Sequence, residues 1–271
     1  MLIWTFACER GGVGKTSLSL AVAEAAARRG KRTLVVDLDP QGNSSRRLLG
    51  WREDALDAWS YEGPSVADVL TAEHRGAAIE HIVATHSAWP DELYLLASPG
   101  PRLTLIDRTT AAAADRRLSR GLHGLDRHDF DLVIVDSAPS LGLLTQNGLT
   151  AADAVFVVAR PSGSRQGVAE TVSTANLLAE EYGGEVAGLV LTAVEPSSAR
   201  SRATAAAMER WEEEWEGRIL SQVARSSIWQ TAEAAGRPLA SYLGDFGRNR
   251  AAAAALAAAE QILDARREVT V

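Results

Sequence analysis

The stretch ACERGGVGKTSLS, residues 7–19, predicts the fold of this chain because it joins an apolar strand pattern to a helical pattern through a glycine-rich loop. Glycines let a backbone turn its N–H groups towards a phosphate, and the N-terminus of the following helix adds partial positive charge. Lys15 and Thr16 stand where a lysine reaches phosphate oxygens and a hydroxyl ligates Mg²⁺. The stretch therefore predicts a nucleotide-phosphate loop with these contacts: Gly11, Gly12, Val13, Gly14, Lys15, Thr16 and Ser17.

Two positions depart from the usual loop pattern G-x-x-x-x-G-K-[ST]. Glu9 stands where the first glycine is expected, and Arg10 comes directly before the paired glycines. Lys15 and Lys31 are the only two lysines among 28 basic residues, so arginine is the ordinary cation of this chain. A dinucleotide-binding loop is disfavoured because the pattern G-x-G-x-x-G is absent.

The composition is that of an ordinary soluble globular protein, with 46% apolar and 23% charged residues over 271 positions. No apolar run approaches the roughly 20 residues of a membrane span, and the N-terminus lacks a signal-peptide pattern. A single cysteine, Cys8, excludes a disulfide within the chain. These features predict a cytoplasmic protein, and the net charge of −7 argues mildly against nucleic-acid binding without excluding a local basic patch.

Short apolar runs rich in β-branched residues alternate with helix-length segments. Continuous rather than alternating apolarity predicts strands that are covered on both faces, as in a parallel sheet. We therefore expect an α/β fold with a doubly wound, mostly parallel sheet, helices on both faces and ligands at the carboxyl ends of the strands. The predicted strands are residues 2–8, 33–39, 93–98, 131–137, 154–160 and 186–194.

We predict one domain over residues 1–271, because no internal repeat or clear linker interrupts this alternation. Residues 50–88 carry the weakest pattern, and we interpret the nearby Trp51, Trp59 and Trp89 as packing residues. The alanine-rich segment at residues 250–268 predicts a helix.

Acidic residues lie at the ends of two predicted strands. Asp136 ends the run VIVD, and Asp37 and Asp39 lie two apart in VVDLDPQGN. The two-residue period of a strand puts Asp37 and Asp39 on the same side. Because the carboxyl ends of the strands converge, we expect these carboxylates to share a site with the loop, where one holds Mg²⁺ through water and another orients an attacking water.

The segments RGGVGKTS, VVDLDPQGN and FDLVIVDSAPSLGLLTQNGL together resemble the deviant Walker ATPases of the ParA/MinD group, particularly its ParA partition branch. The resemblance implies a P-loop NTPase fold and a Mg²⁺-dependent ATPase that forms a homodimer around ATP. It further implies that the dimer binds DNA without sequence preference on the nucleoid and leaves it after hydrolysis stimulated by a ParB-type partner, segregating a plasmid or chromosome. No membrane partner is implied.

The resemblance also implies roles for single residues. In that family the residue before the paired glycines is a signature lysine that crosses the dimer interface, and here that position is Arg10. Asp39 corresponds to the residue that activates water, and residues 139–141 to the switch that senses the γ-phosphate. The implied catalytic residues are Asp39, Lys15 and Arg10. The implied metal-binding residues are Thr16, Asp37 and Asp136. The implied nucleotide contacts are the loop residues together with Asp37, Asp136 and Pro139.

Candidate DNA contacts follow from a less complete match. The family often has an IPR-like segment near its base and DNA surfaces, whereas here the matching residues 222–227 read QVARSS. No helix-turn-helix pattern precedes the first strand, so sequence-specific operator binding is not expected. The candidate DNA-binding residues are Arg200, Arg202, Arg225, Arg248 and Arg250.

Two other functions stay open from the sequence. A ParA-like branch that positions protein bodies such as carboxysomes on the nucleoid also departs at the signature lysine. An ATP-dependent ligase of the dethiobiotin synthetase type has the same fold and acts on a carboxylate substrate, so the fold alone does not decide between them.

Overall fold

The computed structural model describes residues 1–8, 10–51, 59–109 and 111–265, so Glu9 and the end of the predicted tail helix lie outside the described residues. Within these residues eight strands form one sheet. In chain order they are β1 (Leu2–Ala7), β2 (Thr33–Asp37), β3 (Val83–Ala84), β4 (Leu93–Leu96), β5 (Leu132–Asp136), β6 (Ala154–Ala159), β7 (Glu185–Val194) and β8 (Ile219–Ala224).

The sheet has the strand order β3-β4-β2-β5-β1-β6-β7-β8. Every pairing is parallel except that of β3 with β4. Strand β1 lies between β5 and β6, so the chain winds to one side of β1 and later to the other. Open α/β sheets bind ligands at such a switch point, beyond the carboxyl ends of the strands.

Helices cover both faces of this sheet. They are α1 (Lys15–Arg28), α2 (Asn43–Leu48), α3 (Val66–Thr71), α4 (Pro101–Asp107), α5 (Arg117–Leu122), α6 (Leu143–Ala151), α7 (Arg165–Tyr182), α8 (Arg202–Glu214), α9 (Ile228–Ala235) and α10 (Asn249–Ala265). Ile134 of β5 packs with α1 and α10 on one face, while its neighbour Val135 packs with α3 to α6 on the other. This double cover explains why β2, β5 and β6 are buried along their whole length.

The predicted doubly wound α/β fold is confirmed, and all six predicted strands are present with bounds that shift by one or two residues. The sequence patterns missed β3 and β8. Strand β3 has two residues, and β8 is an edge strand with exposed residues along it, so neither forms a continuous apolar run. Of the three tryptophans interpreted as packing residues, Trp59 and Trp89 are buried, whereas Trp51 is 40% exposed.

No helix within the described residues is both long and apolar enough to cross a membrane.

Candidate nucleotide site

A cleft of about 760 Å³ opens at the carboxyl ends of the central strands. The glycine-rich loop and the start of α1 form one wall, and Asp39 and Pro139 come from the ends of β2 and β5. The opposite end of the cleft is lined by residues that follow β7 and β8 and by α9. The topology thus brings residues that are far apart in sequence into one nucleotide-sized space.

The glycine-rich loop is held in a shape that fits phosphate. Gly14 has a φ of 92°, in the left-handed region that favours glycine, and its carbonyl accepts the Leu18 N–H of α1 at 3.0 Å. The buried Lys15 donates from Nζ to the Cys8 and Arg10 carbonyls, each at 3.4 Å. These bonds are long for an ammonium donor, so the amine can turn to a phosphate when one is present.

Thr192, which is not one of the predicted site residues, anchors the loop from the end of β7. Its hydroxyl bonds the Val13 carbonyl and lies 3.2 Å from the Ala159 carbonyl at the end of β6. The following residue, Ala193, has a φ of 52°, a strained conformation for a residue with a Cβ. Backbone strain of this kind clusters at binding sites, and Ala193 also lines the cleft.

Asp37 and Asp136 are paired in register on the neighbouring strands β2 and β5, and both are fully buried. The pKa of Asp136 is raised to about 6, chiefly by burial, although the Lys15 ammonium and the nearby Ser44 and Thr16 hydroxyls oppose the rise. Burial and then the Asp136 charge raise the pKa of Asp37 well above its usual range. Two adjacent buried carboxylates therefore need a cation to be ionised together.

The two carboxylates differ in their hydrogen bonds. Asp37 accepts the Ser45 N–H and hydroxyl at 2.8 and 2.7 Å and the Asp39 N–H at 3.1 Å. Asp136 accepts the Ser44 hydroxyl on Oδ2 at 2.8 Å, but its buried Oδ1 has no hydrogen bond of standard geometry with the described residues. Asp37 is thus bound to protein donors, whereas Asp136 has an oxygen left for a ligand.

This oxygen and its surroundings fit a magnesium site of the P-loop kind. No group of three or more His, Cys, Asp or Glu side chains converges as a metal site among the described residues. Mg²⁺ at nucleotide sites usually takes only one or two protein ligands and completes its shell with phosphate oxygens and water. Thr16 and Asp136 could hold such an ion, with Asp37 beside Asp136 on the neighbouring strand.

Asp39 faces the same cleft from the loop after β2. Its Oδ1 accepts the Gln41 N–H at 2.9 Å, and burial raises the pKa of its carboxyl, opposed by that bond and by the Lys15 charge. The carboxylate is therefore fixed in orientation next to the phosphate loop, where it could orient a water molecule.

Arg10 and Pro139 lie on the open side of the phosphate loop. The Arg10 backbone is held, because its N–H bonds the Cys8 Sγ at 3.4 Å and its carbonyl accepts from Lys15. Its side chain is exposed and makes no hydrogen bond or ion pair with the described residues. Pro139 is exposed beside Gly11, where an added Cβ would lie 3.6 Å from the Pro139 Cβ.

Helix α9 contributes residues that sequence reasoning missed. Trp229, Gln230 and Glu233 line the end of the cleft away from the phosphate loop, and Trp229 is half-buried there. An indole face and an amide are groups that can pack on and bond a nucleobase. The only sequence signal was their place shortly after the QVARSS segment at the end of β8.

The five candidate DNA-binding arginines fall into two places. Arg225 pairs with Glu195 Oε1 at 3.0 Å on the wall of the cleft, and Arg200 Nε donates to the Glu195 carbonyl at 2.8 Å. Arg202 begins α8 and is exposed. The other two flank the start of α10: Arg248 pairs with Asp245 at 2.8 Å, and Arg250 is exposed.

The fold and the cleft are those of a P-loop nucleotide-binding protein. Comparisons with known proteins show to which family of this class the chain belongs. A family model described as an AAA domain matches residues 1–186. The sporulation initiation inhibitor protein Soj of Bacillus subtilis is 29% identical over 68% of this chain and 69% of its own length. The chromosome partitioning protein ParA of Myxococcus xanthus is 36% identical over 55% of this chain and 48% of its own length.

Solved structures share the fold over nearly the whole chain. Apo McdA from Cyanothece has a TM-score of 0.79 at 18% identity and covers 97% of this chain and 99% of its own. Cobyrinic acid a,c-diamide synthase from Mycobacterium smegmatis, with ADP and magnesium bound, has a TM-score of 0.68 at 27% identity and covers 92% of this chain and 97% of its own.

This chain belongs to the family of that AAA domain and is a ParA/MinD-type Walker ATPase. Its alignment with the first curated relatives spans between about half and just over two thirds of their length.

Proposed function

We propose that this protein is a partition ATPase that dimerises around ATP and Mg²⁺, binds DNA without sequence preference and leaves it after hydrolysis stimulated by a ParB-type partner. The observation that carries the proposal is the cleft lined by both the phosphate loop and Asp39. The buried Asp136, at the end of the neighbouring strand β5, supports it. The chromosome partitioning role in the names of relatives supports it. The site of action would be the nucleoid in the cytoplasm.

In this proposal Lys15 and the loop N–H groups bind the phosphates, and Thr16 and Asp136 hold Mg²⁺. The metal, when bound, neutralises charge on the phosphates and relieves the repulsion between Asp37 and Asp136. Asp39 accepts a hydrogen bond from the attacking water and directs it at the γ-phosphate. Arg10, anchored by its backbone and exposed at its guanidinium, reaches the phosphates of the second protomer.

Each of two alternative functions is supported by a specific observation. Arg10 in place of the signature lysine favours a ParA-like protein that positions a protein body rather than DNA on the nucleoid. The 27% identity to a solved synthase that holds ADP and magnesium favours an enzyme that uses ATP to activate a small substrate.

One experiment separates the partition class from the synthase class. DNA binding by the purified protein is measured with ATP, with ADP and without nucleotide, at two salt concentrations, alongside the Asp39→Ala variant. The proposal expects binding only with ATP, weaker binding at higher salt, and persistent binding by Asp39→Ala, which keeps the phosphate loop but loses the water-orienting carboxylate. Indifference to DNA in all three nucleotide states would exclude the partition function and favour the synthase alternative.

A further inference from the structure

The backbone of Asp39 is held from outside its own loop by Ser98, which lies two residues after β4. The fully buried Ser98 hydroxyl donates to the Asp39 carbonyl at 2.8 Å. Its N–H donates to the Ser45 Oγ at 2.8 Å, and Ser45 in turn donates to Asp37 at 2.7 Å. Because β4 pairs with β2, Ser98 is linked to both acids at the end of β2, to Asp39 by its hydroxyl and to Asp37 by its N–H through Ser45.

The Trp59 side chain holds this arrangement in place. Its Nε1–H donates to the Ser98 carbonyl at 3.0 Å, and the residue is only 4% exposed. The same indole fills the space beside Gly42, where an added Cβ would overlap the ring. Gly42, with a φ of 64°, donates its N–H to the Asp39 carbonyl at 2.9 Å. Trp59 therefore contacts both residues that donate to this carbonyl.

The orientation of the Trp59 ring is itself restrained. Tyr61 stacks on it with ring centroids 6.1 Å apart, Trp51 meets it edge-on at 5.5 Å, and the Arg46 guanidinium lies 5.5 Å from its centroid. Aromatic and cation–π contacts of this kind favour one ring position over others. The indole is thus a rigid support rather than a loosely packed side chain.

The described residues that line the nucleotide cleft include Asp39 and Gln41 but neither Trp59 nor Ser98. An effect of these two residues on the reaction is therefore indirect, and the Ser98 hydroxyl, which Ser98→Ala removes, bonds the Asp39 carbonyl. Hydrolysis depends on the direction in which the Asp39 carboxylate points, whereas ATP binding depends on the phosphate loop at the end of β1. The two properties can be separated by experiment.

We propose that Trp59 and Ser98 are positioning residues that set the Asp39 loop for ATP hydrolysis. The inference rests on the role proposed above for Asp39. It assigns to Trp59 a task beyond core packing and predicts that loss of either hydrogen bond lowers turnover and leaves nucleotide binding intact.

The test compares Trp59→Phe and Ser98→Ala with Trp89→Phe as a matched control. Trp89 is equally buried and also donates from Nε1 to a backbone carbonyl, that of Arg47 at 3.1 Å. Within the described part of the chain, none of its hydrogen bonds reaches the Asp39 loop. Trp59→Phe and Ser98→Ala should each lower kcat by about 10-fold, since small misplacements of a catalytic group cost rate steeply. The KM for ATP should stay unchanged, and Trp89→Phe should keep the parent kcat.

Combining Trp59→Phe with Ser98→Ala gives a second readout. If both act through the Asp39 carbonyl, the double variant should be no slower than the slower single variant, because residues in one network are not additive. Equal losses of kcat in Trp59→Phe and Trp89→Phe, a raised KM, or multiplied losses in the double variant would each overturn the inference and leave Trp59 as a packing residue.

Asp39→Ala distinguishes this inference from the proposed function. If Asp39→Ala hydrolyses ATP like the parent, the proposed role of Asp39 fails and the inference fails with it. If Asp39→Ala is inactive while Trp59→Phe and Ser98→Ala turn over normally, only the positioning role is wrong.

Discussion

Among single residues, Arg10 is the one for which the sequence most directly predicts a chemical role. Its backbone is bonded on both sides while its guanidinium is exposed. A planar guanidinium suits phosphate oxygens, and an arginine supplied to a phosphoryl-transfer site contributes about 10³–10⁵ in rate in measured GTPases. We therefore expect Arg10→Ala to bind ATP as a monomer but to lose ATP-dependent dimerisation, measured by gel filtration with ATP and with ADP.

Arg10→Lys is the matched control, because it keeps the charge and approximately the reach. It should retain much of the dimerisation and of the hydrolysis rate. An Arg10→Ala protein that dimerises on ATP and hydrolyses it like the parent would show that this loop works without its cation.

The prediction for Lys15 concerns ATP binding rather than dimerisation. Among the described residues, its buried ammonium donates to the Cys8 and Arg10 carbonyls through two long bonds, which leaves it able to form short charge-assisted bonds to a nucleotide phosphate. Lys15→Ala should reduce ATP affinity by at least about 100-fold, since charge-assisted bonds to phosphate are lost in a shielded site. Calorimetry with ATP measures this directly, and near-parental affinity would contradict the placement of the loop.

At the scale of elements, Glu24 joins the phosphate-loop helix α1 to the segment between α9 and α10. Its carboxylate accepts the Leu239 and Ala240 N–H groups, both at 2.8 Å. Burial raises the pKa of Glu24, although these two bonds and the charges of Arg28 and Arg47 oppose the shift. The native state therefore holds the Glu24 proton more tightly than the unfolded state does.

The sign of the pH effect follows from this shift. A raised native pKa means that folding takes up a proton between the unfolded pKa, about 4.3, and the native pKa. The contribution of Glu24 to the free energy of unfolding thus falls as pH rises through that window. The side chain in Glu24→Gln cannot titrate. The free energy of unfolding of the parent minus that of the variant should therefore fall as pH rises from 4.5 to 7, roughly as linkage requires. Urea unfolding at several pH values measures it, and a constant difference would contradict the assignment.

Elements differ in how well the sequence predicted them. The six central strands have continuous apolar runs because both faces are covered, and their bounds were predicted within two residues. The edge strand β8 and the two-residue β3 lack that pattern, since an edge strand shares its side chains with solvent. The short helices α2 to α5 were not predicted either, because their formation depends on packing against the sheet rather than on a periodic pattern.

For the molecule as a whole, local motifs predicted the phosphate side of the cleft but not its other walls. Residues 11–17 are contiguous in the chain, from the glycine-rich loop to the first turn of α1, so their joint placement follows from chain connectivity. Thr192 and Trp229 line the cleft, and Ser98 bonds the Asp39 carbonyl from outside it. These three residues come from distant segments and carry no motif of their own. Their placement depends on the topology of the sheet, in which β4, β7 and β8 run parallel and their carboxyl ends lie at the same end of the sheet. Residue patterns in a single sequence do not specify that topology.

The arginines that are predicted to contact DNA lie at separate places on the protein surface rather than in one site. Arg225 pairs with Glu195 inside the cleft, so its reversal would also disturb nucleotide binding. Arg202 and Arg250 are exposed at the starts of α8 and α10 and line no part of the cleft among the described residues. They therefore allow DNA binding to be tested apart from ATP binding.

We expect Arg202→Glu combined with Arg250→Glu to weaken DNA binding by the ATP-bound protein by at least about 10-fold at low salt, with a shallower salt dependence. Phosphate contacts carry no base information, so the loss should be the same for unrelated DNA sequences. Arg210→Glu, an exposed position eight residues further along α8, is the control and should bind like the parent. Fluorescence anisotropy with two DNA sequences at two salt concentrations checks all three expectations. An equal loss in Arg210→Glu would mean that net charge alone governs binding, and an unchanged affinity in the double variant would remove both arginines from the DNA surface.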